Sequence, residues 1–406
     1  MNMLKAGLGK AEVLFTDEML PIGGENYNSI HDLPYVKVLL LEGSLDFAFV
    51  AMGLVMGDRE YFRSIAAESL GISKDHVILH LQHILATPHF DVNGSAQDQQ
   101  LAKAYADAVR SACQMAKASL FEAKLGVGKV TAKVTVNRVV KTNLGYWQGV
   151  NDQGPTDDEV FILKVCDAEG SVKGVLFNVN VAPGVMEFSQ CNGGRAISGD
   201  LAAASERFIE KELADKAVAI YMTGATGDQW QALRARLDYI QPDGTQVIRD
   251  LGEAGFTLLE ILATRLGEKV VAGLADIETV SGPQITWQTA EFMYDHQSVK
   301  GADPRFPAVS CEYIVEGKDP AGAAVLTMDD TAIVFCGSEL NVSTLAAIKK
   351  GSSYAKTFIC EFSTVGGGYM PPSDFYDMVT FQSIKCHYAK GTAEKLAEDF
   401  CAMLTK

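Results

Sequence analysis

The chain has 406 residues, 48% of them hydrophobic, with 51 acidic against 35 basic side chains and a formal charge of −16. That length and apolar content suffice for a large buried core, and length alone allows about two or three domains. The acidic balance works against nucleic acid and anionic membranes, both of which need a basic face to displace counterions.

No run of 18 or more apolar residues occurs, and the start, Met1-Asn2-Met3-Leu4-Lys5, lacks the apolar core of a signal peptide, so a cytoplasmic protein with no membrane partner is expected. Short apolar runs predict buried strands over 36–41, 47–55 and 77–81. The third leads into His80-Leu81-Gln82-His83-Ile84-Leu85-Ala86-Thr87-Pro88-His89. Four of the seven histidines fall between His76 and His89. Imidazole is a common metal ligand and an acid or base near neutral pH, although an ordinary strand with incidental histidines reads equally well.

Leu101, Tyr105, Ala108, Ala112, Met115 and Leu120 then recur at helical spacing, with Gly126 as the expected terminator. Residues 130–136 alternate with period two, predicting one half-exposed strand that ends at Asn137-Arg138. An arginine there can clamp a carboxylate, a carbonyl oxygen or an anionic intermediate. Strands are predicted over 160–165, 175–181 and 217–222. Ser198-Gly199-Asp200 reads as a cap for a helix through Leu201, Ala204, Phe208 and Leu213.

After the 217–222 strand comes Thr223-Gly224-Ala225-Thr226-Gly227-Asp228, which has neither dinucleotide-loop nor phosphate-loop spacing. Its glycines let backbone approach a substrate, with Asp228 holding neighbouring groups. Phe256, Leu259, Leu262 and Leu266 predict a further helix closed by Gly267. Strands over 332–336 and 357–362 lead to Gly337-Ser338-Glu339 and Gly366-Gly367-Gly368-Tyr369, each with one oxygen donor, and a helix over 394–404 closes the chain. The pattern predicts an α/β fold, mixed β-sheets layered between outer α-helices, in one domain over 1–406. Eight cysteines without a Cys-x-x-Cys pair are expected to be reduced and mostly buried. No Gly-x-Ser-x-Gly elbow or His-Glu-x-x-His helix is spelled.

Taken in order, these loops resemble the catalytic domain of the neutral/alkaline, non-lysosomal ceramidases, which are zinc amidases. The opening Ala6-Gly7-Leu8-Gly9-Lys10-Ala11-Glu12 with Pro21-Ile22-Gly23-Gly24, then Ile30-His31-Asp32-Leu33-Pro34-Tyr35, Val136-Asn137-Arg138, Ile197-Ser198-Gly199-Asp200, Thr223 to Asp228, Gly337-Ser338-Glu339 and Gly368-Tyr369-Met370-Pro371 carry the likeness. It implies zinc ligands at His83, Glu339 and Tyr369. The family's second histidine of the first segment falls on Leu85, its ligand histidine of a His-Pro pair on Ala182, and a further tyrosine on Phe381, followed by Gln382. The family's additional C-terminal immunoglobulin-like domain is not expected here.

The leading expectation is a hydrolase of an amide or related acyl bond in a small soluble molecule. A metal on His83, Glu339 and Tyr369 would activate water, Arg138 would stabilise the oxyanion, and His89 would move the proton, with His80 or His89 as a replacement ligand. Asn137, Gly227 and Tyr369 are candidates for substrate binding, and Asp228 for acid/base work. The alternative is a metal-free enzyme or ligand-binding protein using Asp228, Arg138 and Tyr369; a non-catalytic scaffold ranks third. A homodimer is the general expectation.

Overall fold

The computed structural model describes residues 3–240 and 245–405; residues 1, 2, 241–244 and 406 of the expected domain lie outside the described residues. Strand β1 (Lys5–Glu12) pairs antiparallel with β2 (Tyr35–Glu42) over eight residues, from Lys5 opposite Glu42 to Glu12 opposite Tyr35. A hairpin leads to β3 (Phe47–Met52), and helix α1 (Arg59–Leu70) crosses over to β4 (Val77–Leu81), parallel to β3. Asp58 starts α1 by accepting from the Tyr61 N–H, and Gly71, at φ 72°, ends it.

Helix α2 (Ala96–Ala118) begins with a reciprocal Ser95–Asp98 cap and lies directly on β1. A Cβ on Gly7 would fall 2.0 Å from the Ala116 carbonyl oxygen and one on Gly9 would fall 1.9 Å from that of Ala112, so the two glycines set how closely helix and sheet approach.

The next stretch supplies β5 (Phe121–Thr131), β6 (Thr135–Thr142), β7 (Gly145–Asn151), β8 (Glu159–Asp167), β9 (Val172–Val179), α3 (Asp200–Glu212), β10 (Val218–Thr223), β11 (Gln229–Gln231) and α4 (Gly255–Gly273). The large sheet runs β10-β9-β8-β5-β1-β2-β3-β4, with Val280–Ser281 added beside β5. Among the described residues its two halves are joined in strand pairing at Lys5–Glu122 and Ala6–Phe121. Strands β11, β6 and β7 form a separate small sheet.

The last stretch gives β12 (Ile285–Lys300), β13 (Glu312–Met328), β14 (Thr331–Cys336), β15 (Glu339–Leu340), α5 (Val342–Gly351), β16 (Lys356–Cys360), β17 (Tyr369–Met370) and α6 (Thr392–Met403). Strands β12, β13, β14 and β16 pair in that order, and β15 pairs parallel with β17.

Alternation along the strands divides the core. Val36, Val38 and Leu40 of β2 join a cluster with α1 and α2, while Leu39 and Leu41 face the other way. Val160 and Ile162 of β8 pack with α3 and α4; Val334 of β14 packs with α5 and α6. The opposite faces of all three regions meet in one cluster containing Leu39, Phe49, Leu163, Met222, Phe335 and Phe358.

The α/β class with mixed sheets is as expected. The predicted strand over 130–136 is instead two strands, β5 and β6, broken at 132–134. Gly126 does not end a helix; it sits within β5, where a Cβ would lie 2.0 Å from the Glu278 carbonyl oxygen. Gly267 lies inside α4 against Phe208. In the Ser198-Gly199-Asp200 segment the Ser198 hydroxyl accepts from the N–H of Asp200 at 2.9 Å, while Gly199 stands at the cap position itself. Asp200, at φ 47°, turns inward and accepts from the N–H groups of Val185, Met186 and Leu201. Burial raises its carboxyl pKa to about 6. Among the described residues no helix is long and apolar enough to cross a membrane.

Candidate functional site

Parallel strands deliver their following loops to a common edge, which is where such sheets place binding groups. Here the loops after β4, β10, β14 and β16 carry His83, Thr226, Glu339 and Glu361. The strand ends are tied together: Glu361 N–H donates to the Thr223 carbonyl at 2.9 Å and Leu81 N–H to that of Phe362 at 3.1 Å.

His83 has φ 56°, a left-handed conformation disfavoured for a residue with a Cβ. Its ring stacks on Phe362 at 4.0 Å, and Nδ1 lies 2.8 Å from the Val55 carbonyl oxygen. A carbonyl accepts only, so Nδ1 carries a hydrogen, and the tautomer this contact selects is the one with its lone pair on Nε2. That atom is 3.9 Å from Glu339 Oε1.

The other Glu339 oxygen lies 3.6 Å from Arg138 Nη2 and 3.4 Å from the Thr226 hydroxyl. Arg138 donates through Nε and Nη2 to the Gly227 carbonyl at 3.2 and 2.8 Å, and its guanidinium lies 5.2 Å over the Tyr369 ring. Burial opposes the charge of Arg138, but Tyr369 and Glu339 beside it reverse the effect and hold its pKa above the usual arginine value. Burial pushes the Tyr369 phenol well up, although Arg138 pulls against it, so Tyr369 is a neutral donor.

Glu361 was not anticipated from the sequence. It is fully buried, with one oxygen accepting from Leu340 N–H at 2.6 Å and the other 2.8 Å from the Thr226 hydroxyl. Burial first, with the charge of Glu339 adding to it, raises its carboxyl well above the ordinary range. Thr226 therefore lies between a proton-bearing Glu361 and Glu339. The signal for Glu361 was a carboxylate directly after the apolar run Phe358-Ile359-Cys360.

The remaining predicted residues fall outside or behind this group. Asp228 spends its oxygens on the Val342 N–H at 3.1 Å, at the start of α5, and on Asn137 Nδ2 at 3.2 Å; it braces the site rather than facing a substrate. Asn137 also donates to Pro155 O and accepts from Val139 N–H. Gly227 contributes its carbonyl to Arg138 and to Gln382 Nε2, and a Cβ on it would meet Asn341 Oδ1 at 2.8 Å.

His89 is on the surface, held by Glu25 at 2.8 Å, so it is not the proton carrier or spare ligand that its spacing suggested. His80 cannot swing in either. Its Nδ1 lies 2.9 Å from Glu361 O, its Nε2 accepts from Thr223 N–H at 3.2 Å, and burial drops its pKa to about 3.

Leu85 packs beside Gly184, while Ala182 offers only a carbonyl, already taken by Gln231 Nε2. Phe381 packs edge-on to Tyr369 at 5.7 Å and to Trp147 at 6.1 Å. Trp147 lines a cavity of about 310 Å³ with Glu187, Phe188, Trp230 and Arg234, connected to Tyr369 through the Phe381 ring. Arg234 is held there by Glu187 at 2.7 Å and stacks on Trp230 at 4.3 Å. These aromatic walls were missed because Trp230 and Arg234 lie on a short strand and its exit with no periodicity of their own.

The residues implied as zinc ligands come together, but the donor set does not fit a catalytic zinc. Such a site takes three protein ligands. Here Ala182 supplies no imidazole, Tyr369 holds its proton tightly, and Glu339 already faces the Arg138 cation. Among the described residues no group of three or more His, Cys, Asp or Glu is placed to hold a metal.

This architecture is that of the ceramidases. The neutral ceramidase from Pseudomonas aeruginosa superposes with a TM-score of 0.75 and 15% identity, over 100% of this chain and 74% of that one. A ceramidase complexed with C2 gives 0.74 and 14%, over 100% of this chain and 75% of that chain. At this identity the likeness is one of fold. No family model matches the sequence, and no curated protein does.

Proposed function

We propose that the chain is a ceramidase-like hydrolase that cleaves an amide or related acyl bond in a small soluble substrate, with His83 and Glu339 activating the water. The observation that carries this reading is the pair of acceptors 3.9 Å apart, His83 Nε2 and Glu339 Oε1, with Val55 fixing the imidazole tautomer. A water donating ~2.8 Å bonds to both reaches across such a gap. As it attacks an acyl carbon, its proton passes to this pair, general-base work that typically contributes about 10²–10⁴-fold. Arg138 and the neutral Tyr369 phenol supply donors for the developing oxyanion, and the proton reaches the leaving nitrogen by way of the same pair.

The neighbouring cavity, part aromatic and part polar, fits a compact substrate rather than two long alkyl chains. Asn341 supports a ligand in this neighbourhood: its carboxamide is buried, next to Gly227, and neither its oxygen nor its nitrogen has a partner among the described residues.

The test is turnover of short N-acyl amino acids and activated aryl esters by wild type, His83→Ala and Glu339→Gln, with thermal unfolding to confirm that the variants fold. A loss of about 10²-fold or more in each variant is expected. Unchanged turnover in His83→Ala would refute the assignment. About one metal ion per chain by elemental mass spectrometry, lost in His83→Ala, would replace the general-base reading with a metal-based one.

A further inference from the structure

Three buried arginines are each matched by a carboxylate: Arg138 by Glu339 at 3.6 Å, Arg195 by Glu25 at 3.4 Å and Arg234 by Glu187 at 2.7 Å. Arg59 is the exception. It is part-buried at the first turn of α1, Nη2 donates to the Gly366 carbonyl at 2.5 Å, and no carboxylate among the described residues lies within ion-pair distance. Burial accordingly pulls its pKa below the usual arginine value. A desolvated cation without a counter-charge is costly unless something supplies the missing anion.

Arg59 lies in the wall of a cavity of about 590 Å³, within the range that encloses small organic molecules. Trp287, Thr289, Ala323, Thr364 and Gly366 share that wall. The Trp287 indole is fixed by packing on Phe47 and Phe335 at 5.1 and 5.9 Å and by its N–H to the Asp75 carbonyl. None of the residues lining this cavity belongs to the His83–Glu339 group.

Four carboxylates also line it, and three of them are engaged. Asp58 caps α1, Glu60 is bound to Arg63 and Lys74 at 2.8 Å each, and Asp75 lies 3.7 Å from Arg63. Glu291 is exposed. These charges decide the ligand. Arg63 also lines the cavity but is held by Glu60 and Asp75, so among the described residues a phosphate would bring about two negative charges to one unpaired cation inside an acidic rim, whereas a carboxylate brings one and matches the guanidinium fork.

We propose that this cavity is a binding site for a small organic carboxylate, its anionic end on Arg59 and its apolar part against Trp287. The wild-type chain, Arg59→Gln and Thr289→Trp are titrated with benzoate and with inorganic phosphate by isothermal calorimetry. Thr289→Trp fills the cavity from an exposed strand position and leaves Arg59 in place, so it tests the site even if Arg59→Gln fails to fold. Saturable benzoate binding is expected in wild type, weakened about 30-fold or more in Arg59→Gln and also reduced in Thr289→Trp. The absence of benzoate binding to wild type, equal binding to all three proteins, or tighter binding of phosphate than of benzoate would overturn the proposal.

Discussion

Glu361→Gln tests the electrostatics of the site without touching its outer face. Burial, reinforced by the charge of Glu339, lifts the Glu361 carboxyl well above its ordinary 4.5 in the folded chain. The folded protein thus keeps a proton that the unfolded chain has released above about pH 4.5. The stability this group contributes is fully present below that pH and declines as pH rises toward the folded value. The slope for one proton is about 1.4 kcal/mol per pH unit between the unfolded and the folded value. Asp200, with a folded value of about 6 against 3.8, adds a similar decline that ends near pH 6. Because Asp200 is common to wild type and variant, it cancels in their difference. The amide that replaces the Glu361 carboxyl cannot accept at both Leu340 N–H and Thr226, which costs about 1–3 kcal/mol at every pH. Urea unfolding at steps between about pH 5 and 7 is expected to show the variant less stable at the acid end, with the gap closing by about 1.4 kcal/mol per unit. Parallel plots for the two proteins would refute a proton-bearing Glu361.

Lys37 is buried with Nζ 2.9 Å from both Glu206 and Glu210 and 2.7 Å from the Ala219 carbonyl. Lys37→Met leaves buried Glu206 without its cation and Glu210 with Lys10 alone, and should lower unfolding free energy by about 3–5 kcal/mol in urea, whereas a loss below about 1 kcal/mol would show that Glu206 finds another partner. Gly9→Ala places a methyl against the Ala112 carbonyl of α2. A loss of about 1–3 kcal/mol by thermal unfolding is expected, and an unchanged midpoint would mean that the helix shifts freely on β1.

The apolar strands were legible wherever both faces are buried, as at 36–41, 160–165 and 332–336, because the apolar residues of such a run contribute to one cluster or another. The long hairpin of β12 and β13 was not, since its outer half is largely exposed and reads as polar loop. Order along the chain foretold that His83, Arg138, Glu339 and Tyr369 belong together, and they do converge, although Arg138, expected at a strand end, lies within β6. It did not foretell direction. Past Pro88 the chain turns His89 toward Glu25, and the carboxylate of Asp228 turns back to hold Asn137 and α5. Glu361 escaped notice because the predicted strand ran on through 362, which made it one polar residue within a strand, whereas the strand ends at Cys360.

The joint between the halves of the large sheet sets a mechanical condition on the chemistry. Backbone pairing holds it at two residues of β1. The opposite margin is latched by side chains: Gln82 Nε2 to the Tyr221 carbonyl at 3.0 Å, the Thr223 hydroxyl to the Gln82 carbonyl at 2.7 Å, and Thr223 N–H to His80. His80 is also tied, through Nδ1 at 2.9 Å from the Glu361 carbonyl, to the separate sheet whose strand β14 leads to Glu339, so a slide of β4 by a fraction of a residue would move His83 relative to Glu339 while leaving the strands intact. His80, neutral and enclosed, thus acts as a gauge block that fixes the spacing at which its neighbour three residues on can work.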